Sequence, residues 1–175
     1  MGLRRWMLLI PLAASLLCTG CRNPSGAAPS LSPERRASVE QDVRRFTAAV
    51  AHDVTLQGPT AWKSYFAEGP EFFMAVNGQL AFPNGQAAAQ AIPQIAPNYQ
   101  HIELRWGDDL RVDVLTESLC MIASSYAEVI ELRPGAEGMQ GTQNGYFTGL
   151  AEMRNGRWQV RDAHWSLRLI AAKAQ

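Results

Sequence analysis

The feature that most restricts the fold is a change of hydrophobic period near His101: helical spacing precedes it, and β-type segments joined by turn signals follow it. Ser32-Pro33-Glu34 supplies an N-cap hydroxyl, a proline at the first helical position and an acid at the positive end of the helix dipole. Val39, Val43, Phe46 and Val50 then form one apolar stripe, while Arg36, Gln41, Arg44 and Arg45 take other faces. A second, short helix is expected over Thr60–Ala67. Glu71–Val76 and Gln79–Phe82 read as a hairpin about Asn77-Gly78. Pro83-Asn84-Gly85 introduces an Ala-rich third helix, which Pro93 and Pro97 are expected to confine to about two turns. Four longer strands are expected near His101–Val114, Leu119–Leu132, Thr142–Arg154 and Arg157–Leu169, the last two joined at Asn155-Gly156. Helices first and antiparallel strands after define an α+β domain with its helices on one face of a curved sheet.

Ahead of this domain lies a segment of different character. Arg4 and Arg5 precede the run Trp6–Cys18, apolar apart from Ser15, which is the layout of a secretory signal and is too short for a spanning helix of about 20 residues. Leu17-Cys18-Thr19-Gly20-Cys21 resembles the lipobox of bacterial lipoproteins, with Cys18 at the usual aliphatic position and Leu17 one place further from Cys21. That resemblance implies cleavage after residue 20, lipidation of Cys21 and stable anchoring by several acyl chains. On the same resemblance, Arg22 instead of the Asp that marks inner-membrane retention implies the outer membrane, facing the periplasm. An ordinary cleaved signal is the alternative. The chain thus divides into a signal (1–20), a Pro/Gly/Ser/Ala-rich tether (21–31) and a folded domain (32–175).

The 175 residues carry sixteen Lys and Arg against sixteen Asp and Glu, and loss of Arg4 and Arg5 leaves a net charge of −2. Such a balance gives no footprint for nucleic acid. With 47% apolar and 18% charged residues the composition is that of a globular chain. Of three cysteines only Cys120 falls in the domain, so no disulfide within it is expected.

Tyr146-Phe147-Thr148, Met153-Arg154-Asn155-Gly156-Arg157-Trp158-Gln159-Val160 and His164-Trp165-Ser166 together resemble the C-terminal signature of the nuclear transport factor 2-like superfamily. SnoaL-like and ketosteroid-isomerase-like proteins share it. The order of helices before the sheet fits the same pattern, so the resemblance spans about 32–171. It implies a cone: N-terminal helices packed in a strongly bent, mostly antiparallel sheet, with a pocket between them.

Strand alternation indicates which side chains reach such a pocket. In the last strand Trp158, Val160, Asp162, His164 and Ser166 share one face, and Trp158 and Val160 mark it as the core face. His164 and Ser166 are therefore expected to point inward, and Arg157, Arg161, Trp165 and Leu167 outward, unless a bulge intervenes. Asn144-Gly145 is the expected place for one. Tyr126 and Glu128 stand an even number of steps from Ile122 and Ile130 and project into apolar surroundings. Trp62, Tyr65 and Phe66 bring aromatic bulk to the core or pocket. His164 is the first choice for a proton-handling residue, against a purely structural role.

His52, His101 and Cys120 lack metal-ligand spacing, Gly135, Gly138 and Gly141 do not form a phosphate cradle, and no Gly-x-Ser-x-Gly elbow occurs. No cofactor or metal is expected. Isomerases of the superfamily use a carboxylate in an apolar cavity as base, but Phe72–Leu80, where the resemblance would put it, has none. Two readings follow. The preferred one is a non-catalytic envelope lipoprotein that binds a small hydrophobic molecule or a protein partner. The other is an isomerase, dehydratase or cyclase in which His164, with Glu128 or Asp162, moves a proton. Trp165 and Leu167 on the supposed outer face further suggest a homodimer through the sheet.

Overall fold

A computed structural model describes residues 31–168. The signal segment and Cys21 lie outside the described residues, and so do Leu169 at the end of the last expected strand and the rest of the C-terminus. The elements run α1 (Pro33–Gln57), a 3-10 turn (Gly58–Ala61), α2 (Trp62–Tyr65), β1 (Phe73–Val76), β2 (Gln79–Phe82), α3 (Gly85–Ile95), a second 3-10 turn (Ala96–Asn98), β3 (Tyr99–Trp106), β4 (Arg111–Thr116), β5 (Leu119–Leu132), β6 (Gly141–Arg154) and β7 (Arg157–Leu167). The Ser32 hydroxyl accepts from the Arg35 amide at 3.2 Å, which caps α1 as the sequence suggests. Val39, Val43, Thr47, Val50 and Val54 form its buried face, with Phe46 half-buried beside them.

One mixed sheet of seven strands, ordered β2-β1-β7-β6-β5-β3 with β4 on the other end of β5, curves around these helices. All pairings are antiparallel except β1 with β7. The hairpins at Asn77-Gly78 (φ 51° and 78°) and Asn155-Gly156 (φ 50° and 78°) need two left-handed residues in succession, which Asn-Gly supplies at least cost. Helix α1 is pinned across the sheet by polar contacts as well as by apolar packing. Arg36 Nη1 donates to Val114 O at 2.6 Å, Trp106 Nε1 to Thr47 O at 2.8 Å, and the Leu104 amide to Thr55 Oγ1 at 3.1 Å.

The expected α+β cone is therefore observed, with two local departures. The expected strand His101–Val114 is two strands. Between them the Asp109 carboxylate accepts from Ser125 N at 2.9 Å and from Ser125 Oγ at 2.7 Å, so a side chain substitutes for a strand partner. Helix α3 also runs through Pro93 for eleven residues. Proline there removes the hydrogen bond to the Ala89 carbonyl, but Ala89 is exposed and water can take its place.

The larger correction concerns β7. Leu150 pairs with Asp162 and Ala151 with Val160, so Arg161 is an extra residue, a β-bulge. Beyond it the alternation is inverted. Ala163 and Trp165 are buried, at 1% and 8% exposure, whereas His164 is exposed. His164 and Ser166 point out of the cone, and Trp165 and Leu167 point into it. The expected bulge site, Asn144-Gly145, keeps continuous register with β5, and Gly145 pairs with Leu167 of β7 without a slip.

Candidate functional site

The cone holds an apolar cavity of about 160 Å³, open to solvent at its rim, between α2, α3 and the inner face of the sheet. The bulge at Arg161 decides part of its lining by turning Trp165 and Leu167 inward. Trp165 sits at the centre of an aromatic cluster, edge-on to Trp62 (5.7 Å) and Tyr126 (4.7 Å). Trp62 in turn stacks on Phe66 at 5.0 Å. Helix α2 is tied to the sheet where the chain leaves it, as Ala67 N donates to Val160 O at 2.9 Å. This fixes Trp62 and Phe66 against β7. Ile95 and Met139, 38% and 48% exposed, lie on the rim.

Gly145 contributes by lacking a side chain. A Cβ there would stand 2.8 Å from the Tyr126 hydroxyl and 1.9 Å from the Ser166 carbonyl, so only glycine lets the Tyr126 ring lie across β6 toward Trp165.

Into this lining β5 sets one carboxyl group. Glu128 follows Tyr126 by two residues and shares its face, opposite Leu104 of β3. Burial among apolar groups pushes its carboxyl up to about 7 from an ordinary 4.5, because the ionised form loses its hydration. Tyr126 is pushed up to about 12, first by burial and then by the nearby Glu128 charge, and Tyr99 of β3 is raised for the same two reasons. Both phenols therefore stay protonated donors. Among the described residues no side-chain hydrogen bond or ion pair engages Glu128, and no Lys, Arg or His lines the cavity. Three polar groups thus face an apolar space without a protein partner, a site that can receive one polar group of a small molecule.

The sequence candidates separate accordingly. Tyr126, Glu128, Trp62 and Phe66 come together in the cavity. Tyr65 does not: its ring packs edge-on against Phe46 at 5.7 Å and its hydroxyl donates to Asp53 at 2.5 Å. Ser166 faces outward and donates to Tyr146 O at 3.0 Å. His164 is outside the cone, opposite Thr148 and Ala75 on neighbouring strands, so it converges with no cavity carboxylate. Asp162 lies beside the bulge, its carboxyl 4.0 Å from Arg161. Tyr99, Trp165 and Leu167 belong to the cavity and were not among the expected pocket residues. The alternation of Ile102 and Leu104, both buried, signals the inward face of β3, but a register irregularity between Tyr99 and His101 hides Tyr99 from that count.

A wider groove of about 560 Å³ lies on the other side of the same sheet region, with Arg105, Tyr146, Ser166 and Arg168 around it. Its Arg105 is already held by Glu103 at 2.5 Å, and nothing in it sets an unpartnered carboxyl among apolar side chains as the cavity does Glu128. Among the described residues no cluster of three or more His, Cys, Asp or Glu could hold a metal ion, and no helix is long and apolar enough to cross a membrane.

This architecture is the nuclear transport factor 2-like fold. A candidate scytalone dehydratase from Novosphingobium aromaticivorans superposes with a TM-score of 0.66 at 11% identity, over 79% of this chain and 89% of that one. A nuclear transport factor 2-like protein from Salmonella enterica gives 0.63 at 12% identity, over 79% and 97%. A hexachlorocyclohexane dehydrochlorinase from Novosphingobium barchaimii gives 0.59 at 12% identity, over 79% and 92%. No family model and no curated protein matches the chain by sequence.

Proposed function

We propose that the domain binds a small, mainly apolar molecule in its cone, with Glu128, Tyr126 and Tyr99 meeting the polar end of that molecule. The observation that carries this reading is the Glu128 carboxyl, set without a protein partner in a preformed apolar cavity. Even half-buried, a carboxyl among apolar side chains loses hydration that no protein partner replaces, and a chain that needed only a packed core would do better with Leu or Met there. The cavity volume bounds the ligand. An apolar cavity of about 150 Å³ holds a benzene-sized molecule, so about 160 Å³ suits one ring with a short substituent. Titration of the purified domain with benzyl alcohol, cyclohexanone and phenol, followed by tryptophan fluorescence, tests it, since Trp62 and Trp165 line the space. Saturable quenching that Trp165→Phe alters is expected; no response to any one-ring compound overturns the reading.

A second reading is proton-transfer catalysis. It is favoured by a carboxyl that titrates near 7, where a general base is most effective, and by the dehydratase and dehydrochlorinase among the structural neighbours. The base would be Glu128, not His164. Loss of α-deuterium exchange from cyclohexanone in Glu128→Gln, with the domain still folded, is the expected outcome; equal exchange in both proteins sinks it.

For the whole chain we propose lipid anchorage through Cys21 at the outer membrane, facing the periplasm. Labelled palmitate should enter the wild-type protein and not Cys21→Ala. A homodimer across the outer sheet face is kept as a proposal, resting on Phe73, Met121, Leu150 and Tyr146 in place of Trp165 and Leu167. Sedimentation of a monomer above micromolar concentration would exclude it.

A further inference from the structure

We propose that the molecule held in the cone is a small organic ammonium ion, its positive charge lying between the Glu128 carboxylate and the faces of the surrounding aromatic rings. This rests on the cavity-binding reading above and names the chemical class of its ligand. The cavity combines two features that point to a cation and lacks the features that would point to an anion.

The first feature is the carboxyl itself. A carboxylate set half-buried among apolar side chains is ordinarily matched by Arg, Lys or His, or by two or three hydrogen-bond donors. Glu128 has no such match among the described residues, although the chain uses arginine freely for its other acids: Glu103 with Arg105, Asp113 with Arg111 and Glu117 with Arg35. The charge most compatible with the space is therefore one that a ligand brings. The second feature is the wall. Trp62, Phe66, Phe82, Tyr99, Tyr126 and Trp165 give rings on several sides of a space about one ring wide, and the negative faces of such rings attract alkylammonium groups.

An anionic ligand would meet Glu128 with no cationic side chain to compensate. A neutral ligand would use the rings but leave the carboxyl with nothing beyond a hydrogen bond. The groups that could modify the charge of Glu128 are few: Tyr99 from β3 and Tyr126 from β5, both neutral phenols, while the lining contributed by α2, β1, β2, α3 and β7 is uncharged. Protonation of Glu128 is then the one event within the cavity that competes with the ammonium ion.

The matched pair benzylamine and benzyl alcohol tests the idea, since the two share ring and reach and differ in charge. At pH 8 the wild-type domain is expected to bind benzylammonium about tenfold more tightly than the alcohol, and to lose most of that preference at pH 5.5, where Glu128 is protonated. Calorimetry in two buffers of different ionisation enthalpy should register release of roughly half a proton per benzylammonium at pH 7, and none for the alcohol. This measurement needs no variant. Glu128→Gln should bring the two ligands to similar affinity at pH 8 and abolish the proton release. Equal affinities in the wild type at pH 8, or tighter binding of the alcohol, would overturn the assignment and leave the cavity-binding reading standing. Failure of both ligands to bind, together with the other one-ring compounds, would overturn both.

Discussion

The two halves of β7 teach opposite lessons about strand alternation. From Arg157 to Val160, Trp158 and Val160 are buried as a simple count requires, although Gln159 between them is buried as well, its amide reaching Phe66 O; from Asp162 to Leu167 the same count gives the wrong face at every position. One inserted residue, Arg161, separates the two regimes. Because side chains alternate with a period of two, a single-residue slip exchanges the faces of everything beyond it. The lining of the cavity depends on the slip. Without it the cavity would be lined by His164 and Ser166, and the aromatic cluster around Trp165 would not exist.

Deleting Arg161 attacks this contrast most directly. Residues 162–167 would either realign by one step, placing Trp165 and Ala163 in water and His164 in the core, or lose their pairing with β6 and β1. Either result removes a central strand from the sheet, and its cost is comparable with a domain's whole stability of roughly 5–15 kcal/mol. Loss of cooperative thermal unfolding by circular dichroism is expected. A deletion variant that melts within a few degrees of the wild type would show that the bulge is not what orients Trp165.

Trp165→Ala keeps the register and removes only the side chain. Trp165 is 8% exposed and touches Trp62, Trp106, Tyr126 and Phe147 at ring-centroid distances of 4.7–5.7 Å. Large-to-small changes at such positions cost about 3–5 kcal/mol, which a urea midpoint would report. A loss under 1 kcal/mol would place Trp165 outside the core.

What was legible in the sequence follows the same division. Helix α1, both Asn-Gly hairpins and the inward face of β5 could be read because each rests on local chemistry: a cap, a left-handed dipeptide, an uninterrupted period of two. Tyr126 and Glu128 were found this way. The bulge could not be read, since Arg161 is an ordinary strand residue and its looping-out is enforced by packing. Ala163, Trp165 and Leu167 bury more apolar area than Asp162, His164 and Ser166 would, at about 25 cal/mol per Å². Comparing the two candidate faces by apolar bulk, with an allowed one-residue slip, would have exposed the conflict. Tyr65 departs from its expected place for a different reason: only the fold brings Asp53 within reach of its hydroxyl.

Glu128 extends the comparison from register to charge, as the inner face holds an acid that its burial keeps from ionising freely. Its folded value of about 7 lies above an ordinary 4.5, so the folded state binds more protons between these values. Its contribution to stability is fully present below pH 4.5, declines as pH rises, and is lost above about 7. The span corresponds to ~3 kcal/mol at most. Glu128→Gln should flatten that segment of the stability–pH profile and be the more stable protein at pH 8. An unchanged profile would mean that the carboxyl is hydrated.

His164→Ala carries the smallest expected effect and discriminates most sharply between the two parities. Had the simple alternation held, the imidazole would stand in the cavity and its removal would leave a hole and an unpaired neighbour. On the outer face it lies between Ala75 and Thr148, exposed, with no hydrogen bond or ion pair among the described residues. The substitution should change stability by no more than about 0.5 kcal/mol. Binding of one-ring ligands should be unaffected, because no atom of His164 lines the cavity. A variant that keeps its urea midpoint but loses ligand binding would return His164 to the site and, with it, require a β7 without the bulge.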